Sequence, residues 1–142
     1  MKRMTVFIIL TLAAALALLP ACGGSASISY KDGTYTAVSS EDDEGAYAEV
    51  TIVVKDGSIV DCTFITLEKD GTVKAEDYGK INGEISNKDY YDKAQLAVRA
   101  MAHYAKELAR VQSITEIDVV SGATISYDQF YEAVEDALSE AK

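Results

Sequence analysis

The chain has 142 residues, which is enough for one domain with a sizeable hydrophobic core. It carries 23 acidic and 13 basic residues and a formal net charge of −10. That balance excludes a typical nucleic-acid-binding protein, because phosphate contacts need clustered lysine and arginine. One histidine, two cysteines and no C-x-x-C pair do not build a zinc or haem centre of the usual spacing, so we expect no metal site.

Residues 1–21 have the pattern of a lipoprotein signal peptide. Two basic residues precede an apolar run over residues 6–19, which is short for a membrane span and has the length of a signal-peptide core. The Leu-Pro-Ala-Cys at residues 19–22 resembles a bacterial lipobox, with cleavage before Cys22 and lipid on its thiol. The alternative is an uncleaved N-terminal anchor.

Both interpretations place the domain at the extracytosolic face of the bacterial cell membrane. Residues 22–31, rich in small side chains, predict a flexible tether lipidated at Cys22, and residues 32–142 form the domain. An acidic domain binds anionic lipid poorly, so the lipid anchor must hold it there. With Cys22 lipidated, Cys62 is the one thiol left, and we expect it to be a small core residue.

The first half of the domain has the alternating pattern of strands. A turn and a strand are predicted over residues 32–38, and further strands over 47–55 and 58–67, with a hairpin turn at Asp56-Gly57 and a short strand at 72–74. One buried face should hold Val50, Ile52 and Val54 in one strand and Val60, Cys62 and Phe64 in the next. The acidic loop at residues 39–45 lacks calcium-loop spacing and is interpreted as solvated.

The second half has a helical period. A loop at residues 75–87 is either a flap over a ligand site or a mobile surface loop. The helix predicted over residues 88–110 has an inward stripe of Ala94, Val98, Met101, Ala105 and Leu108. A strand is predicted at residues 114–120 and a last helix at 126–141. The expected fold is α+β: an antiparallel sheet covered on one face by the long helix and the C-terminal helix.

Residues 118–124, Asp-Val-Val-Ser-Gly-Ala-Thr, join the predicted strand to the last helix. The Gly-Ala pair leaves room for a ligand to approach the backbone. Ser126 as N-cap, with Gln129 three residues later, fits a capping box, so the helix should begin at about Ser126. Its first turn presents unpaired N–H groups and the positive end of the dipole beside Thr124, which suits a phosphate. On these residues alone, an ordinary tight turn is the commoner explanation.

Five positions of this stretch resemble the flavinylation motif of the FMN-binding domain family: Asp118, Ser121, Gly122, Ala123 and Thr124. The family includes covalent-flavin subunits of bacterial sodium-pumping and Rnf-type redox complexes and small membrane-anchored flavin lipoproteins. The likeness extends more loosely over residues 32–138.

The resemblance implies FMN joined by a phosphoester to Thr124, attached by a separate flavin transferase that uses FAD and magnesium. Ser121, Gly122 and Ala123 would shape the turn that exposes Thr124. Asp118 would help the transferase recognise or activate the threonine, or would only cap the end of the strand.

The implied function is an exported, membrane-tethered electron carrier without turnover of its own, acting between a membrane redox partner and an extracytosolic acceptor. One alternative is a non-redox lipoprotein that binds a ligand or acts as a surface antigen. Another is a signal peptide that is itself the active product. The sequence does not decide which tyrosine would stack on the flavin, and the candidates are Tyr47, Tyr78, Tyr90, Tyr91 and Tyr127.

Overall fold

The computed structural model describes residues 29–142, so the predicted signal peptide and Cys22 lie outside the described residues. In chain order the elements are β1 (Gly33–Val38), β2 (Tyr47–Lys55), β3 (Ser58–Leu67), α1 (Lys88–Val111), a 3₁₀ helix (Ile114–Glu116) and α2 (Thr124–Ser139). The strands form one antiparallel sheet in the order β1-β2-β3. α1 packs mainly on β3, and α2 packs on β2 and β1. The predicted α+β class is confirmed.

The hairpin between β2 and β3 has the predicted two-residue turn. Asp56 and Gly57 both have positive φ, 52° and 76°, as the tight turn that matches the twist of a hairpin requires. The predicted inward face of β2 is also confirmed, because Val50, Ile52 and Val54 are all buried.

The predicted inward face of β3 is wrong at one residue. Val60 is 53% exposed, and its neighbour Ile59 is buried instead. The register explains this: Val53 pairs with Asp61, whereas Val54 pairs with Ile59, so Val60 is an extra residue in a β-bulge. A bulge shifts the alternation by one residue, and a pattern count along one strand cannot detect it.

The half-buried Cys62 lies on this strand. Burial, and then the charge of Asp61, raise the pKa of its thiol to about 12. At neutral pH the thiol is therefore protonated and packs as the small residue the sequence predicted.

Stacked aromatic rings join the sheet to both helices. The ring of Phe130 in α2 lies 4.8 Å from Phe64 in β3 and 5.8 Å from Tyr104 in α1, between ring centroids. The predicted inward stripe of α1 is buried, apart from Val98, which is partly buried. The helices therefore cover one face of the sheet, and neither is long and apolar enough to cross a bilayer within residues 29–142.

Residues 114–120 do not form the predicted strand. They begin with the 3₁₀ helix and continue as irregular backbone, with Ile114 and Ile117 buried. The apolar spacing of three follows the 3₁₀ period rather than the alternation of a strand. The predicted strand at residues 72–74 is reduced to one bridge, between Val73 and Leu67.

Two residues of the predicted tether pack against the domain. Tyr30 is 5% exposed, its N–H donates to Gly57, and Lys31 N–H donates to the Ala141 carbonyl at 2.7 Å. The chain therefore meets the domain beside the C-terminal end of α2.

The loop at residues 75–87 is held against α1. The Gln95 side-chain amide donates to the carbonyls of Ala75, Glu76 and Tyr78 at 2.9–3.3 Å. Gly79, with φ 90°, lies so close to α1 that an added Cβ would be 2.8 Å from the Ala94 Cβ. This part of the loop is docked on the helix.

We expect Gly79→Ala to destabilise the protein more than Gly83→Ala. Both glycines have positive φ, so each substitution carries a strain of roughly 1–2 kcal/mol. Gly83 has no atom within 4 Å of the added Cβ, whereas Gly79 also meets the Tyr91 backbone at 3.1 Å. Urea denaturation measures both losses, and equal losses would show that the loop is not packed on α1.

Candidate functional site

The turn before α2 is anchored by two tyrosines. Tyr104, which is fully buried, accepts a hydrogen bond on its hydroxyl from Val120 N–H at 2.8 Å. The Tyr127 hydroxyl donates to the Ile117 carbonyl at 3.1 Å, and the two tyrosine rings meet edge to face. The irregular stretch before the turn is thus fixed by side chains instead of a strand partner.

The turn itself needs Gly122. Its φ is 86°, and an added Cβ would come within 3.0 Å of a methyl group of Leu96. Ala123 N–H closes the turn on the Val120 carbonyl at 3.0 Å, and its side chain is buried. Ser121 and Gly122 are exposed. The small residues therefore serve the close packing of the turn as well as access to it.

The predicted capping box is wrong. α2 begins at Thr124 with Ala123 as its N-cap, and no side chain caps it. Ser126 lies inside the first turn, and Asp128 falls beyond it. The buried turn at Ala123 already sets the helix start, since the Ala123 carbonyl accepts the N–H of Tyr127.

The first turn of α2 consequently keeps free donors. The N–H groups of Thr124, Ile125 and Ser126 have no hydrogen-bond partner in the described chain. The Thr124 side chain is exposed at the same end. Three unpaired N–H groups at the positive end of a helix dipole make a favourable environment for an anion.

A cavity of about 770 Å³ opens beside this end of α2. Residues 122–126 line one wall, the acidic loop and Tyr78 line others, and Met101 and Thr66 lie deeper, from α1 and β3. The predicted flap contributes only Tyr78 from residues 75–87. The volume lies within the range of roughly 300–1,000 Å³ typical of cofactor pockets.

The cavity has an acidic rim and one lysine. Asp42, Asp43 and Glu44 line it, and Asp42 Oδ1 accepts hydrogen bonds from the N–H groups of Glu44 and Ala46, both at 2.9 Å. Lys74 is the one basic lining residue in the described chain, with its Nζ 4.9 Å from the centre of the Tyr78 ring. No group of three potential ligand side chains is placed to hold a metal ion within residues 29–142.

Two of the five candidate tyrosines line the cavity. Tyr78 and Tyr90 meet edge to face with ring centroids 6.5 Å apart. Burial, and to a smaller extent the nearby carboxylates, raise the pKa of Tyr78. Interaction with the Tyr78 hydroxyl raises the pKa of Tyr90. Both are therefore neutral aromatic surfaces at physiological pH, suited to a flat ring.

Asp118 is exposed and does not line the cavity. Its side chain makes no hydrogen bond to another described residue, so it does not cap a strand end. The sequence interpretation overlooked the cavity roles of Thr66, Lys74 and Gln129. Of these three residues, only Gln129 could have been noticed in the sequence, as a polar residue on the inward face of α2.

A flavin fits the residues that are present. The lining combines aromatic rings and free N–H groups with a glycine that a Cβ would crowd, and it includes the buried side chain of Gln129. The family model of the FMN-binding domain matches residues 45–139. The chain belongs to the FMN-binding domain family.

Membership of this family makes it a flavin-binding protein with FMN as its cofactor. A crystal structure of a Clostridium perfringens protein is 28% identical and superposes with a TM-score of 0.62, covering 79% of this chain and 88% of that one. A solution NMR structure of a Clostridium thermocellum protein is 27% identical over 78% of this chain and 91% of that one, with a TM-score of 0.45. No curated protein matches the chain.

We expect Tyr104→Phe to loosen the turn of this FMN-binding domain. The substitution leaves the Val120 N–H without its acceptor next to the core, which costs about 1–3 kcal/mol. Tyr35→Phe is the matched control, because its hydroxyl bonds the Lys31 carbonyl at an exposed site. Urea denaturation and exchange of the Val120 amide proton measure the effect. Unchanged protection of Val120 would contradict the anchoring role.

Proposed function

We propose that this protein is an exported, lipid-anchored flavoprotein that carries FMN on Thr124 through a phosphoester and transfers electrons outside the cytosol. One observation carries the proposal: Thr124 is the exposed first residue of an uncapped helix, at the wall of the cavity. The attached phosphate would lie beside the free N–H groups of the first turn. When bound, the isoalloxazine accepts and donates the electrons.

Attachment is a transfer of the FMN phosphoryl group from FAD. The Thr124 Oγ1–phosphorus bond forms, the phosphoanhydride bond of FAD breaks, AMP leaves, and the hydroxyl proton passes to a base. A separate transferase with magnesium would supply that base and neutralise the charge on the phosphates. The exposure of Thr124 and Ser121 gives such an enzyme access to the hydroxyl.

In this proposal, residues of the turn and of the cavity hold the attached group in place. Gly122 and Ala123 set the position of Thr124, and Tyr104 fixes the backbone just before them. Tyr78 and Tyr90 offer aromatic surface across the cavity. A site at the surface suits a carrier, because its partners must approach the flavin closely.

The described chain enters the domain at the end opposite Thr124. Tyr30 and Lys31 pack beside Ala141, whereas Thr124 is at the start of α2, about 25 Å away along the helix. From a lipidated Cys22 to Tyr30 the chain spans at most about 28 Å. The domain would then stay close to the bilayer with its cofactor end free to meet a partner.

We expect mass spectrometry of protein exported with a flavin transferase to show FMN less one water on the peptide that contains Thr124. Thr124→Val should abolish the label, because the hydroxyl is the acceptor. Ser126→Ala is the matched control, because it removes a hydroxyl from the same turn of α2. It should remain labelled, since Thr124 is the proposed acceptor. A colourless wild-type protein would contradict the proposal and favour a non-redox surface lipoprotein, whereas label on Ser126 would contradict only the assignment of Thr124 as the acceptor.

We expect Asp118→Ala to lose most flavinylation without losing stability. Asp118 is exposed and makes no hydrogen bond to another described residue, so unfolding should change by less than about 0.5 kcal/mol. Glu116→Ala is the control, as an exposed acidic residue just outside the motif. Normal labelling of the Asp118 variant, or labelling lost only through unfolding, would show that the transferase does not need this carboxylate.

A further inference from the structure

Two buried polar side chains line the cavity without being fully used by the fold. Gln129 is 6% exposed and Thr66 is 3% exposed. The Gln129 Nε2 donates to the Ala46 carbonyl at 2.8 Å, whereas its Oε1 has no hydrogen-bond partner within residues 29–142. Thr66 donates only to the thioether sulfur of Met101, at 3.0 Å.

The orientation of the Gln129 amide is determined by its partner. The Ala46 carbonyl can only accept, so it must face the NH₂ group, and the amide oxygen is left as the free atom. Within residues 29–142 no fully buried side-chain nitrogen or oxygen lacks a hydrogen-bond partner, so this unpaired oxygen is open to the cavity, where it can accept from an N–H donor of a ligand.

The Thr66 hydroxyl is a hydrogen-bond donor, whereas the Gln129 oxygen is an acceptor. A thioether is a weak acceptor, so little is lost when the hydroxyl turns from Met101 to a carbonyl oxygen in the cavity. The two side chains together present one acceptor and one available donor.

We propose that Gln129 and Thr66 recognise an imide edge, the adjacent N–H and C=O of the flavin's pyrimidine ring. The inference rests on the proposed function and adds to it the orientation of the flavin ring in the cavity. Gln129 Oε1 accepts from the ring N3–H, and the Thr66 hydroxyl donates to a neighbouring ring carbonyl. The opposite, dimethyl-substituted edge then faces the cavity mouth.

Distance and charge both suit this arrangement. Gln129 follows Thr124 by five residues, which is about 7.5 Å along α2, so a cofactor attached to Thr124 would fold back along the helix. The imide edge is uncharged, which matters because the cavity is lined by three carboxylates and one lysine. A neutral edge of the flavin also explains why the deeper lining of the cavity presents an amide and a hydroxyl instead of a cation.

The test is NMR of the flavinylated protein carrying FMN labelled with nitrogen-15 at N3 and carbon-13 at the pyrimidine carbonyls. In the wild type, N3 should resonate downfield of free FMN in water and its proton should exchange slowly. Gln129→Leu should remove both effects while the flavin remains on Thr124. Thr66→Val should shift a carbonyl resonance upfield and leave N3 unchanged.

Gln112→Leu is the matched control. It also removes side-chain hydrogen bonds to the backbone, since the Gln112 amide donates to the Ile59 carbonyl at 2.8 Å and accepts from Ile59 N–H at 2.7 Å. Gln112 does not line the cavity, so stability should fall with N3 unchanged. A wild-type N3 signal like that of free FMN, or one insensitive to Gln129→Leu, would overturn the recognition pair. Absence of any attached flavin in the wild type is a different result, which overturns the proposed function and this inference together.

Discussion

The hydrogen bond from Val120 N–H to the Tyr104 hydroxyl is the contact on which the site depends. Tyr104 is fully buried in the aromatic stack with Phe130 and Phe64, so its hydroxyl is held by both helices and the sheet. Residues 117–120 belong to no strand and have no ladder to position them. The core therefore determines where the turn lies, and the turn determines where α2 begins.

The start of α2 lacks a side-chain cap, which lowers the stability of the helix and leaves its first N–H groups available for binding. A side-chain cap at Ala123 would stabilise the helix by about 0.5–2 kcal/mol but would occupy an N–H group. Without it, the first-turn donors stay free beside the exposed Thr124 and the cavity. A departure from the usual capping rule at this point is expected of a functional site, where local preference yields to a ligand.

Much of the fold could be predicted from sequence because its signals are local. The alternation in β2, the Asp56-Gly57 turn and the stripe on α1 each depend on neighbouring residues alone. The bulge at Val60 could not be predicted, because it is a property of the pairing between two strands. The helix start was misplaced because Ser126 resembles a cap, whereas the buried turn at Ala123 takes that position.

The candidate site was predicted only in part for the same reason. The five motif residues lie within seven consecutive positions and resemble the motif of a known family, so they could be found in one chain segment. The cavity combines distant segments, with Asp42, Lys74, Met101 and Gln129 brought together only by the fold. A local sequence pattern does not show which distant segments the fold brings together.

The most direct test of a phosphate on Thr124 at the free end of α2 is amide NMR of the protein before and after flavinylation. We expect the amide protons of Ile125 and Ser126 to shift downfield and to exchange more slowly once the phosphoester is present. The Gly71 amide, which bonds Glu68 in a turn outside the cavity lining, should not change. Flavinylated protein in which Ile125 and Ser126 keep their original shifts and exchange rates would contradict the account.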